Sequence, residues 1–173
     1  MSRVTSIENI IHFLLKGHIM QISMKCSIAV HCLIFIHEVK GTAKVTSNLL
    51  AKSTGCNPVI IRNIISSLKK AGIITVPRGT GGAELCVDPS QITLYQIYTA
   101  LEPDGLASII GIHPCQDRPC PVAQNIRKVL QTPYNKIEDS IKETMESITL
   151  QSMIDEFDHI VNPLDQVQDN NLY

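Results

Sequence analysis

The sequence predicts a mostly α-helical protein that carries one small β hairpin. Two short helical patterns meet at residues 53–58, a glycine-rich hairpin pattern follows at residues 73–86, and a long helical pattern fills the C-terminal third. This order of elements is typical of a winged helix-turn-helix domain followed by a long C-terminal helix. The expected fold class is therefore α+β, mostly α with a small β wing.

The second helix of the pair has well-marked ends. Asn57 can cap its first turn, Pro58 suits the first helical position and Gly72 suits the stop. Its apolar residues recur at helical spacing and are predicted to be buried: Ile60, Ile61, Ile64, Ile65, Leu68 and Ala71. The opposite face contains no carboxylate and consists of Arg62, Asn63, Ser66, Lys69 and Lys70. Such a face suits a polyanion and, at its amino end, the bases of a DNA major groove.

The elements around this helix complete the predicted domain. Residues 47–53 form the preceding helix with Thr46 as its cap, and residues 73–76 and 83–86 form the two strands of the wing. Glycines in the connecting turn permit close approach to a phosphate backbone or a minor groove, where Arg78 can make a charged contact. We therefore expect double-stranded DNA as a partner. The candidate DNA-contacting residues are Lys25, Ser47, Lys52, Asn57, Pro58, Val59, Arg62, Asn63, Ser66, Arg78, Thr80 and Gly81.

The distribution of charge supports this interpretation. Residues 20–90 contain eight cationic side chains against three carboxylates, about +5, whereas residues 91–173 contain five against twelve, about -7. A basic half orients a protein on nucleic acid. A winged-helix adaptor that binds proteins and not DNA remains the alternative, and weak salt dependence would distinguish it.

Other classes of protein fit less well. The sequence shows no Ser/His/Asp, Cys/His or phosphate-loop arrangement, because the glycine-rich turn lacks the Lys-Ser/Thr ending, so we do not expect an enzyme. The absence of Trp disfavours stacking on single-stranded bases. Six cysteines without a convincing secretory signal indicate the cytoplasm, and the apolar run at residues 10–15 is too short to span a membrane.

The sequence divides into four segments. Residues 1–19 are expected to be an N-terminal extension, either disordered or foreign to the native product, and residues 20–90 the DNA-binding domain. Residues 91–161 should hold a helix capped by Ser90 or Thr93, a polar loop, a helix over residues 121–131 and a long helical pattern from Tyr134, which breaks near Thr149. Residues 162–173 form a C-terminal tail.

The long helical pattern from Tyr134 predicts an apolar face that a second copy of the chain would cover. The expected dimerisation residues are Ile137, Ile141, Met145 and Ile148. The alternative is that this face folds back on its own domain.

The residues also resemble a known family. Five segments resemble, in register and in order, the Rrf-type bacterial winged-helix regulators. They are Met20-Gln21-Ile22-Ser23, Asn57-Pro58-Val59-Ile60-Ile61-Arg62, Leu68-Lys69-Lys70-Ala71-Gly72, the Gly81-Gly82-Ala83 wing and Cys120-Pro121-Val122. The similarity covers residues 20–157 and is greatest to the YwnA-like branch. It implies a homodimer with crossing C-terminal helices, a pseudo-palindromic operator and a sensory loop before the dimerisation helix.

The sensory loop contains the redox candidates His113, Cys115 and Cys120. Some relatives hold a [2Fe-2S] cluster on three closely spaced cysteines, but here only two are present. We therefore expect no cofactor. The alternative is a cluster whose ligands are completed by His113 or by a residue of the partner chain. Zinc on the same three residues is no better supported. Cys120 lies at a predicted helix start, which favours its thiolate, although it can equally be an unreactive capping residue. The cysteines at positions 26, 32, 56 and 86 are expected to be buried packing residues.

Overall fold

The computed structural model describes residues 23–77, 82–108 and 119–162, and these form two compact units. We call residues 24–103 together with residues 143–162 the winged-helix unit, and residues 104–142 the helical unit. The predicted N-terminal extension, the C-terminal tail after Asn162 and the loop containing His113 and Cys115 lie outside the described residues. The segment limits given above stay predictions.

The winged-helix unit follows the predicted order of elements. Its helices are α1 (Met24–Glu38), α2 (Ser47–Thr54), α3 (Pro58–Lys70) and α4 (Leu94–Leu101). Strands β1 (Ile74–Thr75) and β2 (Glu84–Leu85) pair antiparallel, with Ile74 opposite Leu85, and a short 3-10 turn, Pro89–Gln91, precedes α4. The fold class is therefore confirmed: the chain is mostly helical with a two-stranded wing.

Helix α1 lies at the centre of this unit. It contacts α2, α3, α4, β2 and the C-terminal helix α6 (Leu150–Val161), and its residues Cys32 and Leu33 have no exposed surface. The remaining core is aliphatic apart from Tyr98, Cys26 and Met145, and its fully buried members include Leu50, Ile61, Leu68, Ile97 and Leu150. Burial of these side chains from α1, α2, α4 and α6 together with those of α3 holds α3 in a fixed position.

The start of α6 is tied to the start of α4. The backbone N–H of Leu94 donates to the carbonyl of Ile148 at 2.8 Å, and that of Leu150 donates to the carbonyl of Ile92 at 2.7 Å. Thr93 caps α4 within a capping box and Thr149 caps α6. Of the two predicted caps, Ser90 and Thr93, the structure has Thr93, and the predicted break near Thr149 is confirmed.

The helical unit contains a 3-10 turn, Gly105–Ser108, and most of α5 (Pro121–Ser147), whose last five residues belong to the winged-helix unit. The prediction of two helices here is wrong, because α5 runs unbroken through Pro133. An interior proline removes one backbone hydrogen bond, yet the helical residues on both sides outweigh that cost. Within the described residues, no helix combines the length and apolarity needed to cross a membrane.

Candidate nucleic-acid interface

The amino end of α3 is built as its sequence predicts. The side-chain oxygen of Asn57 accepts a hydrogen bond from the backbone N–H of Val59 at 2.8 Å, and Pro58 occupies the first helical position. Helix α3 ends where Gly72 adopts a φ of 74°, a left-handed conformation that favours glycine. Both ends of the helix are therefore fixed by local sequence.

The two faces of α3 differ sharply. Ile61, Ile64 and Leu68 are buried, and the helix contains no acidic residue. Since successive helical residues turn by about 100°, one outer face gathers the exposed side chains Val59, Arg62, Asn63, Ser66 and Lys70. This face supplies two cations, hydrogen-bonding groups and one apolar side chain, the residue types that read base edges in a major groove.

Three residues predicted for the buried face of α3 lie outside the core, and one of them, Ile65, is half-buried. Ile60 is 43% exposed and Ala71 is also exposed, so their predicted burial is wrong. Ile60 lies in the first helical turn at the edge of the apolar face, where no preceding turn covers it, and Ala71 lies at the opposite end. Val59, beside Ile60, is 55% exposed.

Helix α2 and its turn hold α3 in place. Thr46 caps α2 by accepting from the N–H of Leu49, and Gly55 makes the turn with a φ of 68°. Of the candidate contacts on α2, Lys52 is exposed and Ser47 is half-buried.

The wing is anchored to the loop before α2. The N–H of Ala83 donates to the carbonyl of Val45 at 2.9 Å. A Cβ atom at Gly82 would lie 3.2 Å from the backbone nitrogen of Val45, so glycine permits this close approach. The candidate contacts Arg78, Thr80 and Gly81 lie outside the described residues.

Lys25, another candidate DNA contact, has a partner within the chain. Its Nζ lies 3.2 Å from Oε1 of Glu102, just after α4. Sequence reasoning missed this pair because the two residues are 77 positions apart and no local pattern joins them.

Cys120 immediately precedes α5 and is exposed. The backbone N–H groups of Ala123 and Val122 donate to its sulfur and lower the pKa of the thiol. Within the described part of the chain, no three His, Cys, Asp or Glu side chains gather into a group that could hold a metal ion. His113 and Cys115 lie outside it.

The remaining cysteines differ in burial. Burial raises the pKa of Cys26 to about 11 and that of Cys32 to about 12, which favours their neutral thiols. Cys56 is half-buried and Cys86 is exposed, so the predicted burial of Cys86 is wrong. Strand β2 ends at Leu85, which leaves Cys86 in an exposed turn.

The four candidate dimerisation residues are in unlike surroundings. Met145 is 3% exposed within its own chain, so it forms part of the core and is not open to a partner. Ile148 and Ile141 are half-buried, and Ile137 is 42% exposed. Met145 therefore fits the alternative, in which the apolar face packs on its own domain. Leu150 and Ile154 of α6 are also buried and fit the same alternative.

Known proteins share both the sequence and the fold. Residues 22–156 match the Rrf2 family, described as an iron-dependent transcriptional regulator. The HTH-type transcriptional regulator YwnA of Bacillus subtilis (strain 168) is 29% identical over 133 residues, which cover 77% of this chain and 96% of YwnA.

Solved structures agree with that assignment. A transcriptional regulator from Lactobacillus plantarum superimposes with a TM-score of 0.65 at 28% identity, covering 86% of this chain and 99% of that one. IscR from T. potens, at 24% identity, shares the fold with a TM-score of 0.58, covering 79% and 87%. The chain therefore belongs to the Rrf2 family, and it is a DNA-binding transcriptional regulator and not an enzyme.

Proposed function

We propose that the protein acts in the cytoplasm as a homodimeric repressor that reads a pseudo-palindromic operator through the amino end of α3. The observation that carries this proposal is the outer face of α3, where Val59, Arg62, Asn63 and Ser66 are exposed together on a helix without a carboxylate. A solvated helix face usually mixes both signs of charge. A face without acidic groups can enter a groove lined by phosphates with little repulsion.

The candidate residues divide by the part of DNA that they suit. Arg62 and Asn63 carry the groups that pair with guanine and adenine edges in the major groove. Lys52, Ser47 and Lys25 suit phosphate oxygens, which fix the protein on the duplex without reading sequence. We assign the wing residues Arg78, Thr80 and Gly81 to the backbone or the adjacent minor groove.

Helix α5 supports the homodimer. Val122 is 69% exposed and Val129 is 65% exposed, and with Ile137 they leave apolar surface along more than four helical turns. Exposed apolar surface of this extent is typical of an interface. A two-fold partner would also place two α3 helices on one duplex, which is why we expect an operator with two half-sites.

Cys120 is the candidate sensor. Because backbone N–H groups favour its thiolate, oxidants should modify Cys120 faster than the buried thiols of Cys26 and Cys32. We propose that oxidation at Cys120, with Cys115 or a cysteine of the partner subunit as the second thiol of a disulfide, changes the affinity for DNA. The iron dependence in the family description raises a [2Fe-2S] cluster as the second candidate, yet the loop supplies only two cysteines and one histidine, short of four ligands within one chain.

One set of measurements on protein purified without oxygen tests these assignments. Sedimentation gives the oligomeric state. A titration with operator and random DNA should show that affinity falls steeply as salt rises from about 50 to about 200 mM. The fall should be about a thousandfold or more if the protein makes six or more phosphate contacts. A visible spectrum recorded before and after mild oxidation separates the sensors. A colourless protein whose affinity changes reversibly with thiol oxidation supports Cys120, whereas colour that bleaches as affinity changes supports the cluster.

Repression itself needs a reporter gene. With the operator placed between promoter and reporter, expression should fall when the protein is produced. A rise in expression would identify an activator, and salt-independent binding would indicate the protein-binding adaptor.

A further inference from the structure

The first turn of α3 exposes two adjacent apolar side chains. Val59 is 55% exposed and Ile60 is 43% exposed, although both belong to the helix that places Ile61, Ile64 and Leu68 in the core. Val59 follows Pro58 directly, and its backbone N–H donates the capping hydrogen bond to the side-chain oxygen of Asn57. The position of these two side chains is therefore fixed by the cap, and their exposure is not the result of a frayed helix end.

Val59 lies among polar side chains that suit DNA bases. Asn63 comes four residues after Val59, so it stands one turn further along the same face, and Arg62 lies beside it at a spacing of three. Ile60 flanks this face, at a spacing of three from Asn63. An asparagine side chain can bond the N6 and N7 groups of adenine in the major groove.

The DNA major groove offers one apolar group to such a side chain. That group is the C5-methyl of thymine, which lies on the edge of every A·T pair beside the groups of adenine that asparagine reads. We propose that Val59, flanked by Ile60, reads the C5-methyl of a thymine in each operator half-site, next to an adenine read by Asn63. This inference rests on the proposed reading of DNA by α3 and adds the base pair that the helix selects.

The test removes the methyl group alone. Double-stranded DNA selected from a random pool by the wild-type protein supplies the operator, and each thymine is then replaced in turn by deoxyuridine. One thymine in each half-site should become sensitive, with affinity falling about fourfold per half-site, the effect of one buried methyl group. In Val59→Ala the preference for this thymine over deoxyuridine should fall, because the two γ-methyl groups of the valine are gone.

Two further variants control the result. Val59→Thr keeps a branched side chain with one methyl group, so it should keep part of the preference for thymine over deoxyuridine. Val87→Ala removes an exposed valine from the wing side of the same unit, and it should leave that preference unchanged. Circular dichroism spectra that match the wild type establish that each variant is folded.

The outcomes separate this inference from the proposed function. If the random pool yields no preferred sequence, α3 does not read an operator and the proposed function fails. If an operator is found but no thymine is sensitive to loss of its methyl, or if the sensitivity is undiminished in Val59→Ala, the proposed function stands and this inference is overturned. The inference is also overturned if Val59→Ala changes self-association without changing affinity for DNA, because the exposed pair would then bind protein.

Discussion

Lys25 Nζ lies 3.2 Å from Glu102 Oε1 and joins the first turn of α1 to the residue that follows α4. The side chain of Lys25 keeps 57% of its surface exposed, whereas that of Glu102 keeps 21%. Burial raises the pKa of the Cys26 thiol, and the negative charge of the same carboxylate raises it further. A cation that we assign to a DNA phosphate is thus partly neutralised by its own chain, and DNA must compete with Glu102 for it.

Replacing Glu102 should strengthen DNA binding. Glu102→Gln removes the carboxylate charge that competes with DNA for Lys25, so we expect affinity for operator and random DNA to rise about two- to fivefold, consistent with the small value of an exposed ion pair. The measurement is a salt-dependent titration. Glu38→Gln removes the same charge near the other end of α1 and is the matched control; equal gains in both variants would show only a general charge effect.

Arg62 should distinguish operator from random DNA. If its guanidinium bonds a guanine edge, Arg62→Ala should cost about 1–3 kcal/mol on the operator and much less on random duplexes. Arg127→Ala, which removes an exposed arginine from α5, is the control and should leave the preference for operator intact. Equal losses on both kinds of DNA would show that Arg62 contacts a phosphate only.

Local patterns in the sequence predicted most of the fold. The caps at Thr46 and Asn57, and Thr93 as one of two candidates with Ser90, each depend on a few neighbouring residues, and for that reason they could be located without a structure. The break before α6 was predicted on the same kind of evidence. The extent of α5 was not, because Pro133 is a strong local signal for a helix end that the surrounding residues outweigh.

Features that depend on distant packing escaped prediction. Burial of Met145 and the pairing of Lys25 with Glu102 are both decided by elements far apart in sequence. The basic first half and the acidic second half of the sequence are also not separated in the structure. The acidic helix α6, with exposed Asp155 and Glu156, lies in the same unit as α3 and packs on α1.

Asn57 has both a structural role and a proposed DNA-binding role, and two substitutions should separate them. Asn57→Ala loses the cap on α3, so we expect a loss of about 1 kcal/mol and a fall in Tm of about 2–4 °C. Asn57→Asp keeps a capping oxygen and should preserve Tm, but its charge should repel DNA and lower affinity at least about tenfold. Thermal unfolding and DNA titration of both variants give the result. Unchanged DNA binding in Asn57→Asp would place Asn57 away from the phosphates.

Cys26 and Cys32 should be unreactive while the protein is folded. Both thiols are buried, and burial raises their pKa values to about 11 and about 12, so little thiolate forms at neutral pH. Mass spectrometry after brief alkylation at pH 7 should find them unmodified, and guanidinium chloride should expose both. Rapid modification of either residue in the folded protein would show that α1 opens locally.

Cys120 should show the opposite behaviour. Because the N–H groups of Val122 and Ala123 lower the pKa of its thiol, the reactive thiolate is populated at lower pH than in an ordinary cysteine. We therefore expect the alkylation rate of Cys120 to level off at lower pH than that of a small free thiol measured alongside. Cys86, also exposed, provides a comparison in the same sample, and Cys120→Ser identifies the modified peptide. A Cys120 profile that coincides with the free thiol would mean that its hydrogen bonds do not hold in solution, and the proposed sensor would lose its chemical basis.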